Sequence, residues 1–586
     1  MLIELPLVSW TNLFAVQGRP RRNRAGFFQN AQQFVVNSPN MVDGIQHVHI
    51  NDHFDHVLEW LGQHVMPGAE FDSAERDPPP HCHPGTRTSV LGRMEGWTTD
   101  PKREKNLFWL RGPAGVGKSA VIQSLVERCA LGKRLGASLF FSRTSGRTNP
   151  NQVLSTLAYQ FAVRDPEYKD YATKLVLADP RLFEKSMSEQ FRLFVVEPFA
   201  SRAIRGGTMA WVIALDGLDE CDGEQQSEAT RTRQQRKSNQ GRSNLSDLTG
   251  RRGDEAQCEI VRLISGFVLQ YPTVPLIWVI ASRPEPHLNA VFGRDDVKDS
   301  FQEEVLPVDS DEACRDIELF LHHEFDEIRQ SYPDHIPAAP WPRHDQFLKI
   351  ATSTSGLFVF AHVLTRFISD SYVGNPVEQL DCVLTVISNF QLASDQLNPF
   401  AILDALYLQI MNRISPNMLQ VTKRIIGSSI ILGDWSPIAA KYGVRCSCNF
   451  FGITRATAIT ALRHLHSVLR ISHGKEPTSV EFYHSSFREF LLNAVRSKDY
   501  WIDRGRVGRE LFLAVFRFKK PLLARKFIDV LYTGYLKNIN LKQTLGARDK
   551  NLHRPSMDFR SLGPGYKTQQ NFLLRSERLW TRLGKI

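Results

Sequence analysis

No stretch of this 586-residue chain approaches about 18 consecutive apolar residues, so the sequence offers no membrane-spanning helix. Paired C-x-x-C spacings are also missing. The eight cysteines (Cys82, Cys129, Cys221, Cys258, Cys314, Cys382, Cys446, Cys448) are scattered, which argues against a zinc ribbon or a dense disulfide framework. His81-Cys82-His83 and the Cys446/Cys448 pair lack matching second halves, and no metal site is expected of either. The N-terminus, MLIELPLVSWTNLFAV, has neither a basic leader nor a clean apolar run, so no signal peptide is expected and a cytoplasmic location is. No self-similarity at a period of about 20–50 residues marks a repeat array. Nor does a nucleic-acid-binding motif accompany the positive charge. Residues 504–586 carry 19 Lys+Arg against 5 Asp+Glu, more than the whole net charge of +10, so the remainder is close to neutral. That basic end reads as a solvated surface region rather than a nucleic-acid interface.

What is present is concentrated in Leu107–Leu125, LFWLRGPAGVGKSAVIQSL. Four apolar residues read as a buried strand, a glycine-rich turn follows, and an amphipathic helix follows that. Gly112, Gly117, Lys118 and Ser119 satisfy the phosphate-loop spacing G-x-x-x-x-G-K-[ST]. Glycines allow successive N–H groups to turn inward and cradle phosphate oxygens, and the helix start adds partial positive charge. The backbone from Gly112 through Pro113, Ala114, Gly115, Val116 and Gly117 to Ala120 is therefore expected to wrap a nucleotide. Lys118 would reach its outer phosphates, and the Ser119 hydroxyl would hold Mg²⁺.

Around this stretch the chain alternates strands and helices. Ala137–Ser142, Met209–Leu215, Pro275–Ala281 and Glu303–Val308 read as strands; Pro150–Val163, Met187–Phe199 and Cys258–Gln270 read as helices. The pattern predicts a doubly wound parallel sheet with the phosphate loop at its C-terminal edge. Helical spacing then takes over at Asp311–Ile328, Phe347–Phe367, Gln379–Phe390, Pro399–Ile414 and Val421–Ile431. A helix at Thr454–Leu469, a strand at Ser479–Tyr483 and a helix at Ser485–Ala494 suit a winged-helix unit. The predicted organisation is an N-terminal segment (1–66), a linker with a lead-in helix (67–98), an α/β P-loop NTPase domain (99–309), an all-α helical domain (310–419), a winged-helix domain (420–503) and a basic C-terminal region (504–586). Residues 225–255 are too polar to join a core and read as a disordered insertion.

A phosphate loop needs an acidic partner for Mg²⁺, and VIALDGLDE supplies it. Asp216 ends an apolar strand and would bind the ion; Asp219 or Glu220, further along, could polarise an attacking water. The next strand ends in SRPEP, where Arg283 could sense a third phosphate. Taken in order, GPAGVGKS, VIALDGLDE and IASRPEP resemble the NACHT branch of signal-transduction NTPases, and in particular fungal proteins labelled nephrocystin-3-like or NACHT domain-containing. The small Gly217 directly after Asp216 is the most specific mark. DSAERDPPPHCHPGTR (Asp72–Arg87) is similar to the lead-in of mushroom-type members, and FYHSSFREFL (Phe482–Leu491) to their winged-helix end. The resemblance covers residues 25–505. Residues 225–255 look inserted, and the usual C-terminal sensor repeats are not recognisable.

The resemblance implies a STAND-type switch: ADP-bound and closed, or ATP-bound, open and homo-oligomeric, acting through a trigger and a protein effector that the sequence does not name. In fungi such proteins serve self/non-self recognition and programmed cell death. The resemblance also implies that His484 reaches the diphosphate of ADP, whereas composition alone gives it a nearby backbone partner. The residues by themselves support ATP or GTP with Mg²⁺, and at most slow hydrolysis. A turnover ATPase or a kinase-type enzyme would need an acceptor pocket and a base that the helical half does not offer. A nucleotide-binding scaffold is the third reading.

Overall fold

In a computed structural model of the chain, the described residues are 57–205, 209–222, 245–336, 340–393, 399–435, 443–471 and 479–517. Most of the N-terminal segment (residues 1–56), residues 223–244 with most of the polar stretch, and everything after 517 lie outside them.

Five parallel strands form one sheet: β1 (Leu107–Arg111), β2 (Leu135–Phe140), β3 (Trp211–Asp216), β4 (Leu276–Ser282) and β5 (Phe301–Val305), in the spatial order β2-β3-β4-β1-β5. Alternate residues serve two different cores, as the strand period of two requires. Phe108, Leu110, Val212, Ala214, Ile277 and Val279 face one core with the Lys118–Leu131 helix. Leu107, Trp109, Ile213, Leu215, Trp278 and Ile280 face the other, with helices Val153–Arg164 and Leu245–Gln270. This is why the sequence shows continuous apolar runs here rather than alternation. Edge strand β5, FQEEV, is the polar exception, and its charges blunt an exposed edge.

The first core continues without interruption into the helical half and the winged helix, through Phe360, Leu364, Tyr407, Ile425, Phe487 and Phe490. Each such buried side chain contributes ~1.5–3 kcal/mol, so these elements hold one another by shared burial rather than by surface ion pairs.

Several elements differ from expectation for identifiable reasons. The single helix predicted over Phe347–Phe367 is two, His344–Thr354 and Phe358–Ile368. Ser355 (φ 44°) and Gly356 (φ 77°) break it in the left-handed region. The break matters, because it lets the Val359 N–H donate to the Gly115 carbonyl at 3.1 Å and so sets the second helix on the phosphate loop. Pro166–Ala178 is a helix that periodicity missed, although Asp165 at its N-cap (accepting from the Tyr168 N–H at 3.0 Å) and Pro166 at its first position are start signals. In the stretch predicted as helix over Met187–Phe199, the chain passes at Arg192–Ser201 into a π-helix. Tyr168 and Tyr171 there draw the Phe194 and Leu193 carbonyls into side-chain hydrogen bonds of 2.8 and 2.6 Å.

The helix predicted through Leu469 stops at Leu462, and Leu469–Ile471 becomes β6, paired antiparallel with β7 (Val480–Phe482) as a wing. The helix predicted from Cys258 instead begins at Leu245. The last part of the stretch expected to be disordered is thus helical, since extending a helix costs far less than starting one. The region expected to begin at residue 504 opens with the helix Arg504–Arg517, whose Val507 and Leu511 join the winged-helix core. No helix among the described residues is long and apolar enough to cross a membrane.

Candidate functional site

The phosphate loop sits where β1 passes into the Lys118–Leu131 helix, at the point where the strand order reverses. Gly115 (φ 80°) and Gly117 (φ 95°) supply the backbone conformations that side chains rarely adopt. A Cβ on Gly115 would come within 2.3 Å of Val359 Cγ1, whereas one on Gly117 would face open space, the cleft itself.

Lys118 folds back so that Nζ donates to the Gly112 and Pro113 carbonyls at 2.7 and 2.8 Å. Burial pushes its ammonium down to about 8. The Asp216 carboxyl, at the end of β3, is pushed up to about 6 by burial, opposed by a hydrogen bond from Ser119 and by the Lys118 charge. Its Oδ1 is buried and has no hydrogen-bond partner among the described residues. An orphaned carboxylate oxygen beside a serine hydroxyl fits a hard divalent cation, since Mg²⁺ is commonly held by one or two carboxylates completed by phosphate oxygens and water.

An anion placed against Lys118 raises its pKa again. Nucleotide binding at a pH of about 8.5 is therefore expected to take up a proton. Affinity should fall as pH climbs through the free-state value of about 8, where the lysine discharges before binding. Calorimetry in two buffers of different ionisation enthalpy measures the uptake directly; zero uptake would mean the ammonium stays out of the contact.

The other predicted acids are engaged. Asp219 accepts from the Arg283 backbone N–H at 2.9 Å and lies 3.3 Å from its Nε. Glu220 accepts from the Arg143 N–H at 2.7 Å, and burial raises its carboxyl. Of these two, Glu220 has no ion-pair partner among the described residues. Arg283 also crosses to the winged helix, where Nη2 donates to Glu489 at 2.6 Å and to Ser485 Oγ at 3.0 Å. His484 caps the Ser485–Leu492 helix: Nδ1 accepts from the Ser486 N–H at 3.0 Å and sits 2.6 Å from its hydroxyl. Burial, then the Arg283 and Lys118 charges, push the imidazole down to about 3. It is neutral at ordinary pH, with Nε2 left as the donor. His484 thus satisfies a backbone group, as composition alone gives it, and it also lines the same cleft as Lys118.

That cleft, about 690 Å³, is bounded by the phosphate loop, β3, the wing and the winged-helix turn, and by a wall the sequence did not announce. Residues 67–84, read as a linker, form that wall. His81 pairs with Glu127 at 2.7 Å, the Cys82 N–H donates to Ser124 Oγ at 3.2 Å, and Arg76 is held on Gln123 at 2.8 Å, all on the helix behind the phosphate loop. Arg87, in the left-handed region (φ 55°), donates to the Val116 carbonyl at 2.9 Å and so ties this wall to the loop. Beyond it, His83, Phe320, Phe358 and His362 line the same cleft, and burial brings His362 down to about 4. Proline density hid this segment as a linker; Gly85 and the His/Arg residues just before the Thr88–Thr99 helix were the available signal.

The sheet order and the loop define an α/β P-loop NTPase fold. Residues 85–246 match the family described as Nephrocystin 3, N-terminal, and that part of the chain is accordingly a NACHT-type domain. The match ends before β4, so Arg283 and His484 lie outside it. No curated protein matches the chain.

Proposed function

We propose that this chain is a nucleotide-controlled switch, holding ADP in the arrangement described and ATP when it opens and self-associates. The observation that carries the reading is the convergence of Lys118, Ser119 and the orphaned Asp216 oxygen in a cleft whose roof is the winged helix. In this reading the base would lie toward Phe358 and residues 78–84, which line the same cleft, with its phosphates on the loop amides. Lys118 and the N–H groups of Gly115 to Ala120 bind the diphosphate. Ser119 and Asp216 would hold Mg²⁺, which neutralises charge on the outer phosphates. Glu220 is the acid placed to orient a water. Asp219 and Glu489 position Arg283, and His484 Nε2 meets the diphosphate from the roof. A role in self/non-self recognition or programmed cell death rests on the motif resemblance alone.

A switch is expected to hydrolyse ATP well below the ~1–100 s⁻¹ of kinase-type enzymes; turnover inside that range would favour the enzyme reading. Glu220→Gln should slow single-turnover phosphate release about tenfold or more while ADP affinity stays within twofold. Equal loss of binding would show that Glu220 holds the loop through Arg143 and does no more.

A further inference from the structure

Phe140, the last residue of β2, lies in register beside Asp216. Two arginines from different parts of the chain meet on it. Arg147 donates Nε to the Phe140 carbonyl at 3.1 Å, and the Arg76 guanidinium lies over the Phe140 ring, 3.5 Å from its centroid. Both are almost fully buried, 8% and 7% exposed for Arg76 and Arg147. Among the described residues neither has a carboxylate at ion-pair distance. Glu75, Glu220, Glu481 and Asp216 act on Arg147 only from farther away.

Arg76 has obvious structural work, since Nη1 donates to the Phe71 carbonyl at 2.9 Å and to Gln123 at 2.8 Å. Among the described residues the Arg147 side chain donates only through Nε, and the residue lines the cleft. Burial, and then the Arg147 charge, pull Arg76 down to about 10, and burial lowers Arg147 as well. Two neighbouring buried cations need an anion, none of the described carboxylates stands at ion-pair distance, and Asp216, in register beside Phe140, is the group expected to hold Mg²⁺. Arg283, the sequence-level candidate for sensing a third phosphate, is meanwhile occupied by Asp219, Ser485 and Glu489.

We propose that Arg147, supported by Arg76, seats a phosphoryl oxyanion next to Asp216, at the Phe140 end of β2. The oxyanion is either the terminal phosphate of a bound triphosphate or the orthophosphate it releases. The proposal rests on the nucleotide-switch reading, and two planar guanidinium forks at one strand end suit a tetrahedral oxyanion better than a carboxylate already engaged elsewhere.

The test uses the full chain with Arg147→Ala and Arg147→Lys. Affinities are measured for ADP, for the non-hydrolysable analogue AMP-PNP, and for orthophosphate added to the ADP complex. Unchanged ADP affinity serves as the check on folding. If the seat takes the terminal phosphate, Arg147→Ala weakens AMP-PNP at least tenfold, leaves ADP within twofold, and Arg147→Lys falls between. If it takes released phosphate, AMP-PNP is unaffected and orthophosphate binding to the ADP complex drops at least tenfold. No change in either ligand, or an equal loss for all three, would overturn the proposal. A wild type that binds neither nucleotide overturns the switch reading instead. The seat is then judged on orthophosphate alone: Arg147-dependent binding supports it, and no binding refutes it.

Discussion

Replacing Lys118 by alanine is expected to weaken binding of a fluorescent ATP analogue at least tenfold, ~1.4 kcal/mol. The side chain places its ammonium within the phosphate loop, on the Gly112 and Pro113 carbonyls, from which a bound phosphate would draw it. Its removal leaves the loop in place. The left-handed glycines set the turn, and the bonds from the Val359 N–H to Gly115 and from Arg87 to Val116 brace it from outside. The loss is therefore the charge–phosphate interaction, not a collapsed loop. An anisotropy titration reads it, and an unchanged Kd would remove Lys118 from the site.

The second large effect is expected at His484. Its imidazole is neutral, so Nε2 would donate one hydrogen bond to a charged diphosphate, worth ~1.5–3 kcal/mol. That contact exists only while the winged helix lies over the cleft, so it stabilises the closed arrangement selectively. Its loss should raise the open population roughly ten- to a hundredfold. His484→Ala is expected to lose ADP faster and to self-associate. Alanine also removes the helix cap, at a cost of ~1 kcal/mol. His484→Asn keeps an acceptor for the Ser486 amide but is too short to reach the phosphates. Dialysis of bound ADP followed by light scattering should show both variants failing alike. An asparagine variant that keeps ADP and stays monomeric would leave His484 as a cap only.

The parts of the site legible in the sequence were those where chemistry dictates residue type at fixed spacing. Gly112 to Ser119 needs glycines for its turns, and Asp216 ends an apolar strand, so both could be read without three-dimensional information. The sheet was legible because each strand faces two cores and is apolar throughout. What escaped notice depends on tertiary contact. Arg76 and Arg147 are ordinary surface residues in sequence, and only the pairing of Phe140 with Asp216 brings them to one strand end. The 67–84 segment looked like a linker because proline density signals an irregular backbone, and irregular backbone can be packed as firmly as helix when side chains such as Arg76 and His81 anchor it. Arg283 was placed correctly at the end of β4, but its engagement by Glu489 follows from the winged helix folding back, which no local pattern encodes.

The account's central claim is that the cleft holds a nucleotide. The most direct test is to purify the full chain under native conditions, denature it, and identify what is released by chromatography and mass spectrometry. ADP near one equivalent per chain from the parent, and little or none from Lys118→Ala, is the predicted result. A parent that releases no nucleotide and binds neither added ADP nor ATP would contradict it.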